Sequence, residues 1–173
     1  MNKIGLGDKD ASIVVYCQNI PPLEYYQQLV NVSPLKQGEI KMIADKTGNH
    51  WRKIFNVYAK FLYELWVPAE DSWQRFRDDR LLTENCNALL LFSPFKKCSS
   101  DITATTIHII MGKQYASSLI NPEQLTWLSN DFAIDEQNRT IVCPYFDYRQ
   151  LSNEKITKLC GLVNHIKKQS LVT

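Results

Sequence analysis

The stretch RTIVCPYFDYRQLSNEKITKLCGLVNHI, residues 139–166, reads as a strand, a loop and a helix in succession. The β-branched, apolar run up to Cys143 suits a buried strand, and Pro144 ends it by removing a backbone donor. Ser152 is placed to cap a helix, with Glu154 in its first turn. Ile156, Leu159, Cys160, Val163 and Ile166 then recur at three- and four-residue steps and mark its buried face.

The same order occurs earlier in the chain. SIVVYC (12–17) is a short apolar run followed by NIPPLEYYQQLV, whose prolines suit a loop and a helix's first turn. TIHIIMG (106–112) is followed by the helical KQYASSLI, and NALLLFS (87–93) is a further apolar run. Strands are therefore expected near 12–17, 88–92, 106–111 and 140–143. Their alternation with helices predicts one α/β domain over 1–173, a three-layer αβα sandwich around a central, mostly parallel four-stranded sheet. The second and third runs are separated only by PFKKCSSDITAT. That length is the bare minimum for a parallel crossover, so this pair could also be a hairpin within a mixed sheet.

HWRKIFNVYAKFLYELW (50–66) has the clearest helical period. Ile54, Phe55, Tyr58, Phe61, Leu62, Leu65 and Trp66 form one broad stripe, read as core, and Pro68 follows the end. AEDSWQRFRDDRLL (69–82) predicts another helical segment. In NPEQLTWLSNDF, Asn121 and Pro122 make a cap and first-position pair. GLG at 5–7 precedes a strand instead of following one, so it carries no nucleotide-binding pattern.

The chain has 173 residues, 45% of them hydrophobic and 22% charged, with a net charge of +2. That balance fits a globular protein and falls short of a strongly basic nucleic-acid binder. Asp8 and Asp10 stand where a secretory peptide needs its apolar region, and no run reaches membrane-spanning length. Five cysteines without a CxxC pair point to reduced thiols and a cytoplasmic location. Three histidines without ligand spacing predict no metal, and no cofactor motif is present. Oligomeric state is not readable.

Ligands of open parallel sheets bind beyond the strands' carboxyl ends. The segments expected to meet there are CQNIPP (17–22), SPFKKCSSD (93–101), GKQYA (112–116) and PYFDYRQLS (144–152). They supply the candidate ligand-binding residues Asn19, Ser93, Gly112, Lys113, Tyr145, Asp147, Tyr148 and Arg149. An extended loop would put Tyr145, Asp147 and Arg149 on one side and Phe146, Tyr148 and Gln150 on the other. Asp147 and Arg149 could then form a polar pair beside tyrosines able to stack on a planar ring. Alternatively, Asp147 caps a turn and Arg149 pairs with a helix-end carboxylate. Lys113 follows Gly112 near a helix start, where it could meet a phosphate. Cys17 and Cys143 end apolar strands without an adjacent histidine in sequence and do not read as nucleophiles. No catalytic residue is assigned.

VVYCQNIPP, IIMGKQYA and VCPYFDYRQLSN, in that order, resemble the motifs of the uracil-DNA glycosylase superfamily. In that family they imply a four-stranded parallel sheet in an αβα sandwich. The resemblance places Asn19 near a water-positioning residue, Gly112 and Ala116 at the third-strand turn, and Leu151-Ser152 at the anchor of the last loop. Ser93 stands at the end of the second strand. Aligned on Leu-Ser, Asp147 replaces the family's histidine, and Tyr148 and Arg149 replace its proline and serine. A carboxylate opposes, by like charge, the anion that base excision generates. The expected function is therefore a non-catalytic or divergent domain that binds a small planar or anionic ligand, or DNA, at the carboxyl edge. The alternative is an active glycosylase working on a flipped damaged base. The chain also looks like an uncharacterised bacterial family in which DYRQLSN and an HWRKIFN-like helix recur.

Overall fold

The computed structural model describes residues 3–92 and 105–169. Ser93, Lys96, Lys97 and Cys98 lie outside the described residues. In chain order the elements are β1 (Gly5–Gly7), β2 (Ile13–Tyr16), α1 (Glu24–Gln27), β3 (Val32–Ser33), α2 (Glu39–Thr47), α3 (Asn49–Trp66), α4 (Trp73–Asp79) and β4 (Ala88–Leu91). There follow β5 (Ile107–Met111), α5 (Lys113–Leu119), β6 (Thr126–Trp127), β7 (Ala133–Asp135), β8 (Thr140–Cys143) and α6 (Asn153–Gln169).

The strands form one mixed sheet in the order β3-β1-β4-β2-β5-β8-β7-β6. The expectation of a four-stranded sheet is corrected here: among the described residues the sheet has eight strands and both pairing directions. The four expected strands are its middle. β2 lies between β4 and β5 and is parallel to each, with Val14 opposite Leu89 and His108, and β8 is parallel to β5. β4 and β5 are thus separated by β2, which rules out a hairpin between them. The added strands have two or three residues each and sit outside this quartet. β1 runs antiparallel to β4 and parallel to β3, while β7 and β6 continue from β8 in antiparallel steps. Runs this short leave no readable hydrophobic period.

Two of those additions came from segments read otherwise. GLG, expected to carry nothing, is β1. A Cβ on Gly7 would stand 2.5 Å from the Ala88 carbonyl oxygen, and one on Gly5 would collide with the Leu90 carbonyl. The missing side chains are what let this strand approach β4 so closely. Asn121 does accept from the Glu123 N–H. The turn it starts stops after Gln124, however, and the chain then forms the β6–β7 hairpin instead of a helix.

Alternation along the parallel strands separates two cores. Ile13, Val15, Cys17, Ala88, Leu90, Ile107, Ile109, Met111, Ile141 and Cys143 face a large cluster with α2, α3, α4 and α6. Val14, Tyr16, Leu89, Leu91, Ile110 and Val142 face a smaller one with Ala116 and Ile120, on and just after α5. Also buried are His108 and Tyr16, joined by a 2.8 Å hydrogen bond between the Tyr16 hydroxyl and Nδ1.

The helices follow their apolar stripes. On α3, Ile54, Phe55, Tyr58, Phe61 and Leu62 are buried, whereas Leu65 and Trp66 near its end are half-buried. Val67 adopts a left-handed conformation (φ 45°) that closes the helix ahead of Pro68. Ser72 caps α4 by accepting from the Arg75 N–H at 3.1 Å. The Ser152 carbonyl accepts the first bond of α6, from the Ile156 N–H, and the buried face of α6 is the five residues its period indicated. Cys17, Cys86, Cys143 and Cys160 are free and buried.

Candidate functional site

Tyr145 organises the carboxyl edge of the parallel strands. It leaves β8 immediately after Pro144, and its hydroxyl accepts a 2.9 Å hydrogen bond from the Asn19 amide, beyond the end of β2. The same oxygen lies 2.8 Å from Nε2 of His50 in the first turn of α3, and 3.8 Å from Sγ of Cys17. The His50 and Tyr145 rings stack at 5.7 Å with 18° between their planes. At the end of β5, Gly112 has φ 101°, and a Cβ there would meet the Tyr145 ring at 3.8 Å. Three strand ends and one helix start therefore converge on a single aromatic ring.

Burial pushes the Tyr145 hydroxyl well above its ordinary pKa, so the group is a neutral phenol. Burial also pushes the Cys17 thiol up to about 11. A thiol so protonated is a poor nucleophile, in line with its sequence context. Removing the hydroxyl in Tyr145→Phe should cost about 0.5–1.5 kcal/mol, the usual worth of such a bond, because exposed Asn19 and His50 can turn to water. Denaturant titration of this variant is the check.

The loop after Tyr145 is not extended, so the alternation that an extended loop would give its side chains does not arise. The Asp147 carbonyl accepts from the N–H groups of Gln150 and Leu151, closing a turn. Phe146 is fully buried, while Tyr148 is 55% exposed. Oδ1 of Asp147 accepts from the Arg149 N–H at 3.0 Å, and Oδ2 lies 3.4 Å from Nζ of Lys53. The Arg149 N–H, and then Lys53, hold this carboxyl below the usual carboxylate range. Asp147 thus caps its own turn and stays ionised. Arg149 makes no ion pair among the described residues. Its guanidinium lies 5.7 Å from the Tyr148 ring centre, and Nζ of Lys53 lies 5.3 Å from it.

Of the candidate residues, Asn19, Gly112 and Tyr145 meet directly, and Asp147, Tyr148 and Arg149 follow in the same loop. Lys113 does not join them. Its Nζ turns to the Asn130 carbonyl at 3.3 Å and stands 4.6 Å from the Trp127 ring centre, beside the β6–β7 hairpin. Ser93 lies outside the described residues. The two side chains that sequence reasoning missed are His50 and Lys53. They are three residues apart, hence on one side of α3, but nothing local says that this side meets the loop after β8.

Next to the loop, a cleft of about 300 Å³ opens between α3 and Tyr148–Arg149. Arg52, Lys53 and Lys60 line it from the helix, together with Asn49 and Asn56. These positions fall on the side of α3 away from its buried stripe. Among the described residues, no group of three His, Cys, Asp or Glu side chains could hold a metal ion, and no helix is long and apolar enough to cross a membrane.

No curated protein and no solved structure matches the chain. Over residues 4–164 it matches DUF6942, a family of unknown function, and it belongs to that family.

Proposed function

We propose that this chain is a divergent domain of the uracil-DNA glycosylase kind that binds a small planar or anionic ligand at the carboxyl edge of its parallel strands, without excising a base. The observation that carries this reading is the convergence of Asn19, Gly112, His50 and Tyr145 at one point, beside a loop bearing an exposed tyrosine and an exposed arginine that makes no ion pair among the described residues. The parallel arrangement of β4, β2, β5 and β8 supports kinship with the αβα sandwich of that superfamily. Asp147 supports loss of excision. Fixed as an anion by a backbone N–H and Lys53, it has no proton to give a departing base and repels the charge developing there. A tyrosine ring and a guanidinium together suit a planar, electron-rich or anionic group.

Arg149→Ala should weaken ligand binding at least ten-fold while changing folding stability by no more than about 0.5 kcal/mol, as expected for an exposed side chain. Calorimetric titration with nucleobases and nucleotides, beside a denaturant curve, reads both quantities. A variant that loses stability and keeps full binding would make the loop a structural corner. The companion experiment is a glycosylase assay on single-stranded and mismatched DNA containing uracil. Abasic product that disappears in Tyr145→Phe would overturn the non-catalytic reading. DNA binding that weakens with salt and gives no product would identify the ligand as DNA.

A further inference from the structure

We infer that the cleft between α3 and Tyr148–Arg149 holds the phosphate group of a small phosphate ester. This rests on the reading that the ligand binds at this edge, and it names the ligand's charged half. Four cations line the cleft, Arg52, Lys53 and Lys60 from α3 and Arg149 from the opposite wall, and among the described residues no carboxylate lines it. Asn49 and Asn56 add amide donors from the same helix face. Spacings of three, four, seven and eight residues among positions 49 to 60 put these side chains in neighbouring rows on α3.

The cations differ in how firmly they are held. Lys60 and Arg149 make no ion pair among the described residues. Nζ of Lys60 stands 4.9 Å from the Trp73 ring centre, a cation–π contact that leaves its charge unneutralised. Arg52 and Lys53 touch Asp45 and Asp147 at 3.3 and 3.4 Å, contacts long for charged hydrogen bonds and open to exchange for a better acceptor. A phosphate monoester brings close to two negative charges and three acceptor oxygens, which a single carboxylate does not. The guanidinium of Arg149 can engage two of those oxygens at once, and the lysines act as point charges.

The cationic ground is short. The adjoining cleft, about 280 Å³, shares Arg52 and Asn56, but Asp45 and Asp78 line it and pair with Lys41, Arg52 and Arg77. Within one or two phosphates a nucleic-acid backbone would meet cations already paired with carboxylates. The footprint therefore suits one phosphate with a single attached ring, the ring lying towards Tyr148.

Adenosine 5′-monophosphate and adenosine are the probes, titrated calorimetrically into the full chain with and without inorganic phosphate. The monophosphate should bind at least ten-fold more tightly than the nucleoside, and inorganic phosphate should compete. Lys60→Gln should remove most of that advantage without weakening adenosine, and Lys60→Arg should restore it. Thermal unfolding confirms that each variant is folded. Lys60 lies outside the Tyr145 cluster, which separates the two readings. Equal binding of nucleoside and monophosphate, weakened by Arg149→Ala and indifferent to Lys60→Gln, would overturn the phosphate assignment and leave the edge site standing. No binding of either probe or of inorganic phosphate would overturn it too. A single-stranded oligonucleotide binding far more tightly than the monophosphate, with a steep salt dependence, would overturn the small-ester assignment in favour of a strand.

Discussion

Replacing Phe61 by alanine is expected to lower the free energy of unfolding by about 3–5 kcal/mol, the range for a fully buried phenylalanine. The side chain is completely inaccessible and belongs to the large cluster between the sheet and the helices. Its ring lies 6.5 Å from that of Tyr58, and its own carbonyl meets Sγ of Cys160 on α6 at 3.6 Å. Tyr58 is in turn pinned by a 2.9 Å hydrogen bond from its hydroxyl to the Leu89 carbonyl of β4. With neighbours tied to the sheet on one side and a 17-residue helix on the other, little can collapse into the space left behind. Most of the cavity cost should therefore persist. Denaturant titration at unchanged slope is the measurement, and a loss below about 1 kcal/mol would mean that α3 does not pack here as described. Leu65→Ala, at a half-buried position on the same helix, should cost distinctly less.

The second large effect is one of pH. Burial, with Lys3 and Arg139 adding smaller contributions, pushes the imidazole of His108 down to about 4 from an ordinary 6.5. The folded state thus keeps His108 neutral, accepting from or donating to the Tyr16 hydroxyl, while the unfolded chain takes up a proton near its ordinary pKa. Between these two values the unfolded state binds more protons, so stability falls as the solution is acidified. The contribution is fully present above about pH 6.5, erodes through the interval, and is gone below about pH 4. At about 1.36 kcal/mol per pKa unit, the loss across that window is about 3 kcal/mol. The cavity beside His108 also holds Lys9 and Asp10. Asp147 and Asp131, whose carboxyls are held below their ordinary range, contribute losses in the same direction at lower pH. His108→Gln, which can still bond to Tyr16, should flatten the profile between pH 4 and 6.5, whereas an unchanged slope would refute the assignment. Urea titrations at a series of pH values read this directly.

Much of the fold was legible because its elements are written in strong local patterns. Four short apolar runs announced β2, β4, β5 and β8, and the stripes of α3 and α6 matched their buried faces almost residue by residue. Burial on both faces makes such strands continuously apolar, and a helix packed on one side must repeat every three to four residues. The short strands carry neither signal. Val32–Ser33 and Thr126–Trp127 are strands because a neighbour offers them hydrogen bonds. α2, whose buried residues are Ile40, Ile43 and Ala44, is only 9 residues long, too few to repeat its stripe, and was likewise not read.

At the carboxyl edge the division is sharper. Asn19, Gly112 and Tyr145 were legible because strand ends of a parallel sheet must emerge on one side, whatever the intervening lengths. Lys113 points elsewhere because the direction of a long side chain depends on which acceptor is nearer, and the β6–β7 hairpin supplies one at Asn130. His50, Lys53 and Lys60 could not be assigned in advance. Their spacing places them on one side of α3, but the rotation of α3 against the sheet is set by how Trp51, Phe55, Tyr58 and Phe61 fill the core. Sequence by itself determined the class of fold and the edge at which its loops gather, through periods local to each element. Only tertiary packing, which turns one helix about its axis, decided that histidine and a row of cations would face the loop after the last parallel strand.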